Sequence, residues 1–390
     1  SLAAFTTMAQ RMATGLDSFS LLAIPFFILA GQIMNQGGIA HRLINFAKAL
    51  IGSMPGGLIY VNVIAAMLFG AISGSAVAAA SAIGGILGPP MEKEKYSKEF
   101  GAAINVSAST TGLIIPPSNV LIVYSLASGG VSIASLFLAG YIPGILMGLA
   151  LMLVAAVWIK KKKYPPGEKT SAKKIVTTFL DALPSLLLLV VVIGGIVSGI
   201  FTATEASGIA VLYTLILAII YREINLNKLH KIFLSSVVTT SIVLLLIATS
   251  MGMSWVMSFE NIPQTVSDAL LGLSDNKYVI LIIINLLLLF VGTFMDMTPA
   301  ILIFTPIFLP IMKSLGVDPV HFGMIMVMNL CVGLCTPPVG SVLFIGVGVA
   351  KTTIQKVMKP LLPLYIAMAI ILLLVTYLPQ ISLWLPSLFE

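Results

Sequence analysis

Two segments carry the residues best suited to chemistry. TGLIIPPSNVLIV (111–123) and VGLCTPPVGSVLFI (332–345) each set a Pro-Pro pair among small and polar residues, inside runs otherwise apolar enough to lie in a membrane. Adjacent prolines remove two backbone donors and clash with the preceding turn, so no continuous helix passes through them. At membrane depth, freed carbonyls and amides persist where protein, water or a bound ion satisfies them. Neutral oxygens gathered in a dry place suit a hard monovalent cation, and the expected ion is Na⁺, bound at two or more sites. For the first site the donors are Ser73 and Ser75 with the carbonyls of Gly112, Ile115 and Pro117. For the second they are the carbonyls of Gly333, Thr336 and Pro338, facing Gly292, Thr293 and Thr298. Asp296 is the acid beside this second group. An intramembrane carboxylate points to ion or substrate binding, with capping of the next helix as the alternative. Free amides of half-helix N-termini between the two sites would favour a carboxylate ligand. Candidates there are Ser109, Thr110, Thr111, Asn119 and Asn329, with interhelical hydrogen bonding as the alternative for each.

The elements that must position these residues follow from charge and length. With 58% hydrophobic and 9% charged residues and a mean hydropathy of +1.09, the chain is a polytopic membrane protein. Apolar runs long enough to cross about 30 Å of hydrocarbon recur from end to end. KKKKYPPGEKTSAKK (160–174) fixes a cytoplasmic loop. If residues 57–90 crossed once, Lys93, Lys95 and Lys98 would lie outside and that loop could no longer be cytoplasmic. A re-entrant hairpin turning at Ser73-Gly74-Ser75 resolves the conflict, and a second over 285–314 turns near MDMTP. On this topology 18 of the 21 Lys and Arg residues are internal. The +7 charge therefore reports orientation and not nucleic-acid binding.

The two Pro-Pro segments align through Gly-Leu-x-x-Pro-Pro at an offset of 221 residues, which also carries Pro89 to Pro310 and Met91 to Met312. Each unit reads hairpin, broken helix, long helix, and the units enter from opposite faces. Inverted repeats with discontinuous helices meeting at the midplane mark a secondary transporter.

Other features are weaker. Glu205 reads as an N-terminal cap. GGIAHRLINFAKALIG (37–52) reads as an interfacial helix, with His41, Arg42, Asn45 and Lys48 opposite its apolar face. Cys331 and Cys335, one helical turn apart, read as packing residues. His41, His230 and His321 have no metal-ligand spacing, HExxH and P-loop motifs are absent, and no nucleophile–base pair suggests an enzyme. No cleavable signal peptide is visible, and the start at Ser1 leaves open whether residues precede it.

The motifs LLAIPFFILAGQIMNQGGIAHRL, GAISGSAVAAASAIG, IIPPSN, FTATEASGIAVLY, GTFMDMTPA and CTPPVG, in this order over nearly the whole chain, resemble the large membrane subunit of tripartite ATP-independent periplasmic (TRAP) transporters. The resemblance implies a Na⁺-driven elevator-type importer in a bacterial inner membrane. Two partners are implied besides the lipid bilayer: a small four-helix membrane subunit and a periplasmic substrate-binding protein. Implied substrates are organic acids such as C4-dicarboxylates and sialic acid. The family's opening apolar helix has no evident counterpart at the start, which bears on docking of the small subunit.

The expected fold is thus all-α and polytopic, with inverted repeats that each contain a re-entrant hairpin and a broken helix. Residues 1–56 form a scaffold helix and interfacial arm, 57–130 the first transport unit, 131–277 scaffold helices, 278–350 the second transport unit and 351–390 a C-terminal scaffold helix. A stand-alone Na⁺-coupled dicarboxylate or citrate transporter is the alternative function. A channel or an intramembrane enzyme stands further off.

Overall fold

The protein is described by a computed structural model covering residues 2–164, 166–167, 170–274 and 276–389. Glu168 and Lys169, in the lysine-rich loop, lie outside the described residues, as does Pro165. Every regular element among the described residues is helical.

The chain opens with α1 (Leu2–Leu16), which packs on the later helix α11, and then a short 3₁₀ turn (Phe19–Leu22) leads into α2 (Ala23–Gln36). The sequence reading did not anticipate α1. The arm helix α3 (Ile39–Ile51) buries Ile39, Leu43, Ile44 and Ala47 and exposes His41, Asn45 and Lys48. Its Arg42 pairs with Asp181 at 3.0 Å and lies 3.6 Å above the Tyr221 ring.

The first hairpin follows as α4 (Gly57–Ser73) and α5 (Ala76–Lys93), then the broken pair α6 (Lys98–Thr111) and α7 (Asn119–Ala127). Gly74 makes the tip possible: at φ 61° it occupies the left-handed region, where a side chain is strained. Ser75 then caps α5, its hydroxyl accepting from Ala78 N at 3.2 Å. Four long or apolar helices come next: α8 (Ile133–Lys162), α9 (Ala172–Val197), α10 (Ala203–Ile220) and α11 (Leu226–Phe259). Glu205 closes a capping box with Thr202 at the start of α10, as its position implied. α11 begins earlier than hydropathy suggests, absorbing Lys228, His230 and Lys231 into its first turns.

A short helix α12 (Ile262–Leu271) precedes the second hairpin, α13 (Lys277–Gly292) and α14 (Met297–Ser314). Its broken pair is α15 (Pro319–Gly333) and α16 (Ser341–Val349). α17 (Ile354–Tyr377) and the single turn α18 (Gln380–Leu383) end the fold. Among the described residues seven helical segments are long and apolar enough to span a membrane, and one of them is α14, the second arm of a hairpin.

Burial separates the elements. α6 and α15 are enclosed nearly all round, with Val106, Ala108, Val327 and Leu330 at 0% exposure. The faces of α8 to α11 instead show Leu153, Val157, Val190, Leu212 and Leu245 to the surroundings, the distribution expected of helices that meet lipid.

Candidate functional site

The two hairpin tips meet at one cavity of about 220 Å³. Tip one contributes Ser73, Gly74 and Ser75, tip two Asp296 and Thr298, and α7 its first residue, Asn119. The outer wall is formed by Gly31, Gln32 and Asn35 on α2 and by Thr239 on α11. Packing holds this arrangement closely. A methyl group on Gly74 would lie 2.7 Å from Asn119 Nδ2, and one on Gly31 would lie 2.9 Å from the Ser73 carbonyl. Asn119 therefore sits against one tip, and α2 supports that tip from outside.

Beneath tip one, the break exposes its backbone. A methyl on Gly112 would fall 2.4 Å from Gly70 Cα, so α4 and the end of α6 touch backbone to backbone. Cis Pro116–Pro117 follows, and Ser118 Oγ donates to the Leu113 carbonyl at 2.6 Å. Among the described residues, no hydrogen bond ends on the carbonyls of Gly112, Ile115 or Pro117, although Gly112 and Pro117 are buried. Buried acceptors need a donor or a cation, so this donor set fits an alkali ion. The Ile115 side chain takes no part, because it packs against Gly144 of α8.

The second break repeats the plan with differences. A methyl on Gly333 would lie 2.6 Å from Gly292 Cα, Pro337–Pro338 is again cis, and Gly340 N donates to the Thr293 carbonyl at 3.2 Å. Here the Gly333 carbonyl already accepts from Thr336 N at 2.8 Å. The Thr336 hydroxyl turns outward to Tyr365 on α17 and donates to the Val332 carbonyl at 2.9 Å, while Pro338 is exposed. Asp296 occupies the N-cap position of α14 without a side-chain capping hydrogen bond, is exposed, and lines the cavity. Asp296 is the one Asp or Glu among the described residues lining this cavity, so an ion here meets neutral oxygens and that carboxylate.

The remaining sequence candidates are placed elsewhere. Ser109, Thr110 and Thr111 are fully buried and return their hydroxyls to α6 itself, at 2.6 Å to Asn105 O and at 2.9 and 3.4 Å to Ser107 O. Asn329 joins α15 to α13, donating to both the carbonyl and the Oδ1 of Asn285 at 2.9 and 2.7 Å. None of these four lines the cavity between the tips. Gln32, Asn35 and Thr239 were not anticipated. The i, i+3 spacing of two amides in the apolar GQIMNQ was the available signal.

Comparison with known proteins agrees with this architecture. The chain matches the family described as "Tripartite ATP-independent periplasmic transporter, DctM component" over residues 1–381. It is 60% identical to the uncharacterized protein YgiK of Salmonella typhimurium, over 99% of this chain and 89% of that one. It is 40% identical to the sialic acid TRAP transporter large permease protein SiaM of Vibrio cholerae, over 98% and 89%. In structure it is similar to the YdaH transporter of Alcanivorax borkumensis, with a TM-score of 0.71 at 14% identity over 98% of this chain and 88% of the other. At that identity the likeness speaks for the fold alone.

Proposed function

This chain belongs to the DctM-component family of TRAP transporters and is a multi-pass inner-membrane large permease, and from that premise we propose that it is a Na⁺-coupled importer of a small organic acid anion. The substrate class is that of sialic acid or the C4-dicarboxylates. The observation that carries this reading is the convergence of both hairpin tips, with Asn119, on one polar cavity bounded outside by α2 and α11. Asn119, Gln32 and Asn35 offer amide donors to carboxylate and hydroxyl groups there. Na⁺ would sit below each tip, on the Gly112, Ile115 and Pro117 carbonyls with Ser73 in the first half. In the second half it would sit near Thr293, Thr298 and Asp296. Cation and anion then neutralise one another before leaving the aqueous phase, which lowers the cost of burying either.

Because the cavity lies between hairpins and α2, moving the hairpins as a unit would transfer it across the membrane in an elevator manner. A periplasmic binding protein would deliver the substrate and a small membrane subunit would complete the scaffold. The test is uptake into proteoliposomes under an imposed inward Na⁺ gradient, with and without those two partners. Uptake needing the gradient and both partners is expected; accumulation independent of Na⁺ contradicts the coupling.

A further inference from the structure

A separate cavity of about 200 Å³ lies at the lysine-bearing end of the hairpin unit, among α4, α5, α6 and α16, and shares no residue with the tip cavity. Its wall includes Asn62 of α4 and Asn105 of α6, which are 1% and 3% exposed. Asn105 Nδ2 donates to the Ala80 carbonyl at 2.7 Å, which fixes the orientation of that amide. Its Oδ1 and that of Asn62 have no partner. Two buried amide oxygens without partners, on residues of one cavity wall, call for a donor or a cation.

Their place along the helices is specific. Asn105 precedes Gly112 by seven residues of helix, about 10 Å, and Asn62 precedes Gly70, the residue packed on Gly112. The cavity therefore lies on the α4–α6 seam, between the first candidate ion site and the lysine-bearing end. Gly85 and Gly88, which also line the cavity, have open space where a side chain would project. The corresponding α13–α15 seam is closed by its own amides, with Asn329 donating to Asn285 and Asn285 Nδ2 donating to Thr376 Oγ1 at 3.1 Å. Asn329 Oδ1 also lacks a partner, but Asn329 lines neither of these two cavities. At the mouth, Lys98 pairs with Glu92 at 2.6 Å and Lys351 acts on the same carboxylate, so the three groups leave one net positive charge. That charge weakens cation binding and suits passage over storage.

We propose that Asn62 and Asn105 form an additional, low-affinity Na⁺ site, a relay through which an ion leaving the first hairpin site reaches the cytoplasm. It rests on the Na⁺-coupled reading above. The experiment uses the complete transporter in proteoliposomes with its cytoplasmic face inside, at fixed external Na⁺. Luminal Na⁺ is varied against choline. Asn62→Asp should lower the luminal Na⁺ giving half-inhibition of uptake at least tenfold, and Asn62→Leu should raise it at least threefold. External Na⁺ activation should be unchanged in both. Should Asn62→Leu fail to fold, the Asn62→Asp shift decides alone. Equal luminal half-inhibition in variant and wild type means that the cavity holds water only and overturns the relay. Wild-type uptake indifferent to external Na⁺ overturns instead the coupled reading on which it rests.

Discussion

Cys331 Sγ donates to the Thr110 carbonyl at 3.4 Å across 221 residues, the same number that separates the two repeats. A residue in contact with its own repeat counterpart must lie on the pseudo-two-fold axis, so the two broken helices cross there. Both positions are fully buried, and a larger side chain would strain both repeats together. Cys331→Phe should therefore destabilise the protein by about 1–3 kcal/mol, whereas Cys331→Ala should be milder. Thermal unfolding in detergent checks the order; equal melting for both variants would place the contact off the axis.

The glycine pairs Gly70–Gly112 and Gly292–Gly333 bring each hairpin arm onto its break by backbone contact. Ala at Gly112 or Gly333 meets main-chain atoms that cannot swing aside, so each should lose most Na⁺-dependent uptake or unfold at lower temperature. Gly194→Ala and Gly208→Ala, which meet nothing within 4 Å, should behave as wild type. Uptake and melting measured on the four variants together make the comparison.

Much of this plan was legible beforehand because prolines, glycines and charges act locally. Pro116–Pro117 and Pro337–Pro338 break their helices, Gly74 turns its hairpin, and Lys93, Lys95 and Lys98 mark one end. What could not be read was rotational phase. α6 and α15 are buried all round, so their sequences carry no amphipathic stripe to say which side faces the cavity. Ser109, Thr110, Thr111 and Asn329 were for that reason indistinguishable from Asn119. The i, i+3 spacing of Gln32 and Asn35 marks a polar face of α2, but what that face meets is set by tertiary packing of α2 on tip one.

Side chains on the cavity should respond differently from those behind it. Asn119→Ala and Gln32→Ala are expected to raise the substrate KM several-fold while leaving melting nearly unchanged. Ser109→Ala removes a bond internal to α6, at about 1 kcal/mol of stability, and should leave KM alone. Transport kinetics and melting curves on the same preparations distinguish the two groups.

At the lysine-bearing end, the Ser97 hydroxyl donates to Glu99 at 2.7 Å and holds that carboxyl below its ordinary value, and Lys98 does the same for Glu92. A depressed carboxylate stabilises the fold above its ordinary pKa of 4.5 and ceases to do so as pH falls through the lower folded value. Ser97→Ala should thus remove part of the loss of melting temperature expected below about pH 4.5 and leave the profile near neutrality parallel to wild type. Melting curves from pH 7 to pH 3 test this, and an unchanged acid limb would assign Glu99 no part in it.

The central claim is that the hairpin tips carry the cavity across the membrane. Cys331 and Cys335 are buried and free, so a single Val77→Cys substitution, at an exposed position beside the first tip, can report on the tip in the otherwise native chain. Membrane-impermeant thiol labelling, applied separately from each side, is the direct measurement. The account predicts that Cys at this tip reacts from the periplasmic side in one set of ion and substrate conditions and from the cytoplasmic side in another. Reaction from one side alone under every condition would contradict it.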